Sequence, residues 1–307
     1  MDMAYLRAHP QHLPTFLTHQ RIRETPVGAG VCVARRLTLD DGTSLFAKNW
    51  PSDPAPPGLF TAESSSLGWL RDAGAVPVPE VIVALPDLLA LEWVSPGSAS
   101  ASAAAAFGRQ LAVLHRSGAS SFGAGWPGWI GPLPLDNSPP TSTPSTPFAP
   151  FAPFAPGDWG SWFAERRLLP YLRLSADRGA LSSEDVTAVD KIINAIHRYG
   201  GSEAPARIHG DLWPGNLLWG ADGRGWLVDP AAHGGHRETD LATLRLFGGV
   251  AFFDLILGSY QEEWPLADGW QERVPLHQLH LLLVHAAAFG NGYRSAVMGA
   301  VDALMRA

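Results

Sequence analysis

Apolar residues near the start of the chain change their spacing several times. From Asp2 to Gln20 they fit a short leading helix interrupted near Pro10 and Pro14. From Arg21 the pattern turns to alternation, with Val31 and Val33, then Leu37 and Leu39, separated by smaller or polar residues. That period of two belongs to a half-buried strand. Asp40-Asp41-Gly42 supplies a hairpin turn, and Leu45 to Asn49 reads as the returning strand. A Pro-rich break (Pro51 to Pro57) precedes helical spacing from about Leu59 to Ala73, where Phe60, Glu63, Leu67 and Leu70 fall in step and Gly74 ends the run. Two more strands are expected near Glu80–Ala84 and Leu88–Trp93.

From Ala99 the spacing becomes mainly helical. Phe107, Leu111 and Leu114 share one face of a helix over Ala99 to Arg116, and further helices are expected over Asp158–Asp177 and Ser182–Tyr199. Between them, Pro132 to Pro156 is rich in Pro, Ser and Thr and contains FAPFAPFAP. Pro has no N–H to donate, so this stretch is expected as a flexible or polyproline-like insertion. A strand-rich stretch, Arg207 to Pro230, interrupts the helices that continue to the C-terminus. The order predicts an α+β protein of two lobes. Residues 1–94 form a small β-rich lobe and residues 95–307 a larger, mainly helical one, with a hinge at about 91–95.

The chain of 307 residues is 46% apolar with 12 Trp, a composition that folds. A net charge of −7 argues against a general nucleic-acid binder, which needs basic surface to meet phosphates. The single cysteine, Cys32, allows no intrachain disulfide. No apolar run reaches the roughly 18 residues a membrane helix needs. The start, MDMAYLRAHPQHLPTF, has no basic region followed by an apolar core, so a cytoplasmic location is expected.

The densest chemistry lies in His209-Gly210-Asp211-Leu212-Trp213-Pro214-Gly215-Asn216, followed by Leu217-Leu218 and then Trp226-Leu227-Val228-Asp229-Pro230. Asn216 trails Asp211 by five residues and Asp229 trails it by eighteen. The apolar residues between read as a short hairpin that folds Asp229 back beside Asn216. Such a layout suits phosphoryl transfer. Asp211 accepts or orients the proton of an attacking hydroxyl, and Asn216 and Asp229 offer hard oxygens to Mg²⁺ on ATP phosphates. Lys48 ends a strand and Glu63 lies on the next helix, where a pair would let the ammonium meet those phosphates. The chain has two lysines, Lys48 and Lys191, and neither follows a glycine, which excludes a Walker-type loop.

HGDLWPGN followed by VDPAAHGGHRETDLATLRLFGG closely resembles the fructosamine kinase (ketosamine 3-kinase) family, part of the aminoglycoside-phosphotransferase-like group with a protein-kinase-like fold. Asp158-Trp159 with Trp162 to Arg167, Phe122-Gly123 and Trp129 to Pro134 extend the likeness, which runs from about Gly28 onward. The resemblance implies a phosphotransferase that uses ATP and Mg²⁺ on a small sugar-amine, acting on O3 of a ketosamine. Glycated protein lysines are a further possible acceptor class, and breakdown of the 3-phosphate frees the amine. By motif, it makes Asp211 the catalytic base, Asn216 and Asp229 the metal ligands, and Lys48 with Glu63 the ion pair. It assigns the nucleotide to Gly28 and Gly30 in a Gly-Ala-Gly loop and to Glu92, Trp93 and Val94, where backbone would take the adenine. It puts Trp213 and His233 at the substrate and leaves His209 and Asp240 as support. The family's glycine-rich loop usually has consecutive glycines and in some members a redox-sensitive cysteine, to which Cys32 lies close.

Other readings stand beside this one. Asp and Asn favour turns, Lys48 and Glu63 fit a solvated strand and helix, and Trp159, Trp162 and Phe163 fit a core. His233 and His236 near Asp229 hint at zinc but lack a four-ligand set. Arg237 and Glu238 read as a local pair, and His277, His280 and His285 as packing or surface residues. Two other functions remain open on the sequence: an aminoglycoside or other amino-sugar phosphotransferase, and a catalytically inactive kinase-like binding module.

Overall fold

The structure, a computed structural model, describes residues 2–19, 22–28, 30–52, 54–140, 158–199 and 203–307. The leading segment forms α1 (Met3–Ala8) and α2 (Leu13–Thr18) with a tight turn at Pro10–His12 between them. A five-stranded sheet follows in the spatial order β1-β2-β3-β5-β4. Its strands are β1 (Arg23–Pro26), β2 (Val33–Thr38), β3 (Ser44–Asn49), β4 (Val81–Ala84) and β5 (Leu88–Glu92), paired antiparallel throughout. Helix α3 (Leu59–Asp72) lies between β3 and β4 in sequence. One sheet face packs with α1 and α2 through Leu6, Leu13, Leu37, Leu45 and Val83.

The larger lobe begins with α4 (Ala101–Arg116), whose Ser100 cap accepts the Ala103 N–H at 3.1 Å. Leu59, Phe60 and Leu67 of α3 join Leu89 and Leu91 of β5 and Phe107 and Leu111 of α4 in one core. Helix and sheet are therefore cemented across the lobe junction. A hairpin of β6 (Gly128–Ile130) and β7 (Leu133–Leu135) comes next. Pro134 sits in β7, where a two-stranded hairpin leaves its missing donor unneeded. The Pro-rich insertion expected over 132–156 therefore starts too early, since its first residues are a strand. Most of the remainder lies outside the described residues.

The helix expected over Asp158–Asp177 is split. It runs as α5 (Trp159–Phe163), a widened π-type turn over Ala164–Leu168, and α6 (Leu169–Asp177). The turn carries two buried arginines. Arg167 donates to the Asp136 carbonyl at 2.6 Å and to Asn137 Oδ1 at 2.7 Å, and its guanidinium lies 4.3 Å from the Trp162 ring centroid. Widened turns of this kind re-aim side chains that a regular helix would place elsewhere. Helix α7 (Ser183–Asn194) opens on a reciprocal Ser182–Asp185 cap.

Three short pairs of strands then shape the catalytic region: β8 (Ala206–Ile208), β9 (Leu217–Trp219), β10 (Gly225–Leu227) and β11 (His233–Gly235), in which β9 pairs β10 and β11 pairs β8, with the β6–β7 pair as the third. Helices α8 (Glu238–Thr243), α9 (Phe253–Glu263), α10 (Trp270–Phe289) and α11 (Arg294–Arg306) complete the lobe. Helix α9 crosses α4 so closely that a methyl group on Gly108 would lie 2.2 Å from the Ile256 carbonyl oxygen. A second core, built on α5 to α7, α10 and α11, buries Trp159, Trp162, Phe163, Leu279 and Leu283. These aromatics are core residues, as one reading of the sequence had them.

Candidate active site

A cleft of about 570 Å³ opens between the sheet lobe and the helical lobe. Lys48 reaches it from the end of β3 and Glu63 from the second turn of α3. The Lys48 Nζ lies 2.8 Å from Glu63 Oε2 and also contacts Asp229 Oδ1. Burial opposes the lysine's charge, but Asp229 and Glu63 outweigh it and raise its pKa. Burial lifts Glu63 to about 7, against the pull of Lys48.

The HGD segment is held from below. Gly210 has φ +80, and a side chain there would lie 2.3 Å from the Ala231 carbonyl, so only glycine fits. Asp240 is fully buried in α8. Its carboxylate accepts the His209 N–H at 2.7 Å, the Gly210 N–H at 3.0 Å and a bond from His115 Nε2 at 3.2 Å. His209 is also buried. Its Nδ1 accepts the Asp211 N–H at 3.2 Å, so Nε2 carries the proton and donates to the Val228 carbonyl at 2.9 Å. Burial lowers its pKa and keeps it neutral, a brace between catalytic loop and hairpin.

The hairpin does fold back as its apolar pairs predict. The Val228 N–H donates to the Asn216 carbonyl at 3.1 Å. Asn216 Nδ2 donates to the Asp211 carbonyl at 2.8 Å, to Asp211 Oδ2 at 3.2 Å and to the Asp229 carbonyl at 3.4 Å. Asp229 sits at φ +54, a left-handed angle uncommon outside glycine, which turns its carboxylate into the cleft. Whatever water Asp229 loses there is outweighed by the Lys48 charge, which holds it below the usual carboxylate range. Asp211 behaves oppositely. Burial first, then the Asp229 charge, lift its carboxyl well above that range despite the bond from Asn216. Its Oδ1 is buried and has no hydrogen-bond partner.

The donor set therefore fits Mg²⁺-ATP. Carboxylate and amide oxygens of Asp229 and Asn216 are hard ligands, Lys48 is a buried cation for phosphate, and the orphaned Asp211 oxygen is free to take a proton. Gly28, with φ +68, and Gly30 border the same cleft in the β1–β2 loop. Cys32 lines it too, where burial pushes its thiol pKa up, the direction of low reactivity.

One expectation from sequence needs correction, that for His233; the adenine site was expected on main chain, and the neighbouring side chains point elsewhere. The side chains of Glu92 and Trp93 border a separate groove with Arg7, Arg36 and Glu80, and Val94 does not border the cleft. Trp93 stacks beneath the Arg36 guanidinium and Glu92 Oε2 accepts the Glu80 N–H. His233 was expected at the substrate. It is buried to 3% exposure beneath the loop, its Nδ1 donating to the Ala231 carbonyl at 2.7 Å, and it does not border the cleft. β11 pairs with β8 and carries it inward. Trp213 does border the cleft, its ring folded over Gly215.

Arg237 and Glu238 do not pair with each other. Arg237 holds Glu203 at 2.7 and 2.8 Å, and Arg273 holds Glu238 at 2.6 and 2.8 Å. His236, Glu238 and His277 present ligand atoms within 4.8 Å of one another. His236 Nδ1, however, accepts the Glu238 N–H at 3.2 Å, which leaves its proton on Nε2, and Arg273 already occupies the carboxylate. The grouping is a buried polar network rather than a zinc site.

Sequence reasoning missed the residues of α10 that close the far side of the cleft: Leu281, Val284, His285, Ala288 and Phe289. Their only signal was an apolar stripe that a core helix also shows.

Two lobes, a buried lysine–glutamate pair under a sheet, and an HGD loop whose Asp and Asn meet the Asp of a following hairpin in one cleft are the features of kinase-like phosphotransferases. Comparison with known proteins narrows this. The family model for fructosamine kinase matches residues 9–307, and the chain belongs to that family. A protein of Thermus thermophilus named a probable ketoamine kinase is 33% identical over 261 residues, covering 84% of this chain and 87% of its own length. A crystal structure from Thermobifida fusca, provisionally named fructosamine-3-kinase, superposes with a TM-score of 0.82 at 46% identity, covering 93% of each chain. A macrolide 2'-phosphotransferase of Brachybacterium faecium shares the fold alone, with a TM-score of 0.55, 16% identity and coverage of 95% and 98%. The chain is thus a phosphotransferase with a hydroxyl acceptor, of a family that implies ATP-dependent phosphorylation of sugar-amines. No helix among the described residues is long and apolar enough to cross a membrane.

Proposed function

We propose that the chain transfers the γ-phosphoryl group of ATP to a sugar hydroxyl, O3, of a ketosamine, and so serves deglycation. The observation that carries this is the convergence of Lys48, Asp211, Asn216 and Asp229 on one cleft in a fructosamine kinase family member. Asn216 and Asp229 would hold Mg²⁺, which would supply charge neutralisation at the phosphates. Lys48, fixed by Glu63, orients the nucleotide's phosphates. Asp211 takes the proton from the attacking hydroxyl through its unpartnered Oδ1. His209 and Asp240 position it. We place the lobe boundary at 94/95, with main-chain groups of 91–94 rather than side chains offered to the adenine.

An aminoglycoside acceptor is less well served. Among the described residues lining the cleft, the acids are Glu63, Asp211 and Asp229, all engaged in the chemistry above. None is left to meet a polycation. An inactive module has no use for a buried lysine with two carboxylates and an unpartnered base.

The test is ADP release with Mg²⁺-ATP across ribulosamine, fructosamine and aminoglycoside acceptors. The ketosamines should turn over, and Asp211→Asn should retain ATP binding while losing about 10²–10⁴ in turnover, the scale of a positioned base. Turnover of aminoglycosides alone, or full activity in Asp211→Asn, would reject the proposal.

A further inference from the structure

We infer that an aromatic platform on the acceptor side of the cleft holds the amine-bearing half of the substrate. It selects adducts of apolar or aromatic amines that lack a free carboxylate. The inference rests on the ketosamine kinase reading above.

Five rings form a continuous cluster there. Trp213 meets Phe247 edge-on at 5.9 Å between centroids, and Phe247 lies 4.7 Å from His285. His285 in turn lies 5.0 Å from Tyr293 and 5.5 Å from Phe289. Trp213, His285, Phe289 and Tyr293 line the same cleft as Asp211. Trp213, two residues from Asp211, ties these rings to the side of the cleft that holds the proposed base.

Two features separate this cluster from ordinary packing. Phe289 is 55% exposed and Phe247 42%, so burial of these rings contributes little to the fold. Phe247 also sits at φ +52, the left-handed region, followed by Gly248 and Gly249 at φ +97 and +74. A bulky aromatic residue rarely adopts that angle, and strained backbone of this kind clusters at functional sites. The loop holds a half-open ring against the cluster.

The charges at this end define what the platform accepts. Among the described residues lining the cleft, Lys48 is the one Lys or Arg, and it is held by Glu63 and Asp229. His285 donates through Nδ1 to the Leu281 carbonyl at 2.8 Å, and burial lowers its pKa, so it stays neutral. A carboxylate on the amine carrier would gain no cation here and would meet the negative faces of the rings. The secondary ammonium of a ketosamine is itself a cation, and aromatic rings attract cations. An apolar or aromatic substituent on that nitrogen would cover Phe289 and Tyr293.

The test uses three ribose adducts in the ADP-release assay, made from methylamine, phenethylamine and phenylalanine. The last two differ by one carboxylate. In the native enzyme, kcat/KM should be about 10-fold or more higher for the phenethylamine adduct than for the phenylalanine adduct, because both carry the ring and only the second carries a carboxylate that finds no cation. Phe289→Ser, at an exposed position, should remove most of the advantage of phenethylamine over methylamine, chiefly through KM. Phe247→Asn, which tolerates the left-handed angle, should act in the same direction. Turnover of the methylamine adduct with phenylalanine and phenethylamine adducts used equally would overturn this inference and leave the kinase reading intact. So would a Phe289→Ser enzyme with unchanged discrimination. No turnover of any adduct would overturn both.

Discussion

Asp240→Asn isolates the device that fixes the catalytic loop. The native carboxylate accepts two main-chain N–H groups, at 2.7 and 3.0 Å, on oxygens that are fully buried. An asparagine keeps the shape but has one acceptor oxygen, so in either amide orientation its NH₂ faces the His209 or Gly210 donor. The loss is one hydrogen bond to a charged group, about 1.5–3 kcal/mol, plus one buried donor left unpaired, about 1–3 kcal/mol. A total of roughly 3–5 kcal/mol follows, and at roughly 2 °C per kcal/mol for a chain of this size Tm should fall by about 6–10 °C. Gly210 immediately precedes Asp211, so the relaxation moves the base. A displacement of about 1 Å costs on the order of 10² in turnover. Thermal unfolding and ADP-release kinetics on the same sample check both numbers, and KM for ATP should change little because Asp240 does not border the cleft. A variant melting within about 2 °C of the native protein, with kcat within a factor of two, would refute the reasoning. A large fall in kcat with Tm unchanged would instead give Asp240 a part in the chemistry.

Lys48→Met should lower kcat/KM for ATP by about 10²–10³, the usual effect of losing one preorganised electrostatic contact, with the fold retained because Glu63 can protonate. Normal nucleotide use in that variant would remove Lys48 from the phosphate site. Glu238 is nearly buried and Arg273 holds both its oxygens; burial opposes its charge, but that partner wins and its folded pKa drops to about 2 from 4.5. A depressed carboxylate stabilises above its unfolded pKa and loses that contribution as pH falls toward the folded one. The difference here is worth about 3 kcal/mol at neutral pH. Glu238→Gln should therefore melt well below the native protein at pH 7, and the gap should narrow as pH falls from about 5 to 3. A gap independent of pH would show that the pair contributes through packing alone.

The fold was legible where the period of apolar residues and the punctuating residues agreed. Alternation at Val31 to Leu39 with the Asp40-Asp41-Gly42 turn gave β2 and β3, and the step of Phe60, Leu67 and Leu70 gave α3. It was less legible where tertiary contacts decide. Nothing in the local sequence marks the widened turn at Ala164–Leu168, whose Arg167 reaches Asp136 and Asn137 across 30 or so residues. Pro134 reads as a strand breaker, yet a two-stranded hairpin asks nothing of its missing N–H.

The same division separates the legible from the illegible parts of the site. Asp211, Asn216 and Asp229 lie within one short stretch, so their spacing alone places them around a hairpin, and the apolar pairs between them predict its fold. Lys48 and Glu63 come from different elements, but each element was legible and the scarcity of lysine singled one out. His233 failed because adjacency to Asp229 in sequence says nothing about which way a strand turns: β11 pairs with β8, and that pairing carries the ring under the loop. Phe247 and Phe289 had no signal at all as separate residues, since an aromatic on an apolar helix or beside two glycines reads as core. Only their exposure, together with the left-handed angle at Phe247, distinguishes them. Most of the proposed chemistry is thus written locally, in a spacing that one segment carries. The platform proposed for the amine carrier draws instead on residues of the α8–α9 loop and the α10–α11 region, which meet only once the chain has folded. The reaction class and the proposed ketosamine acceptor could therefore be read from one segment, whereas that platform came into view only in the folded chain.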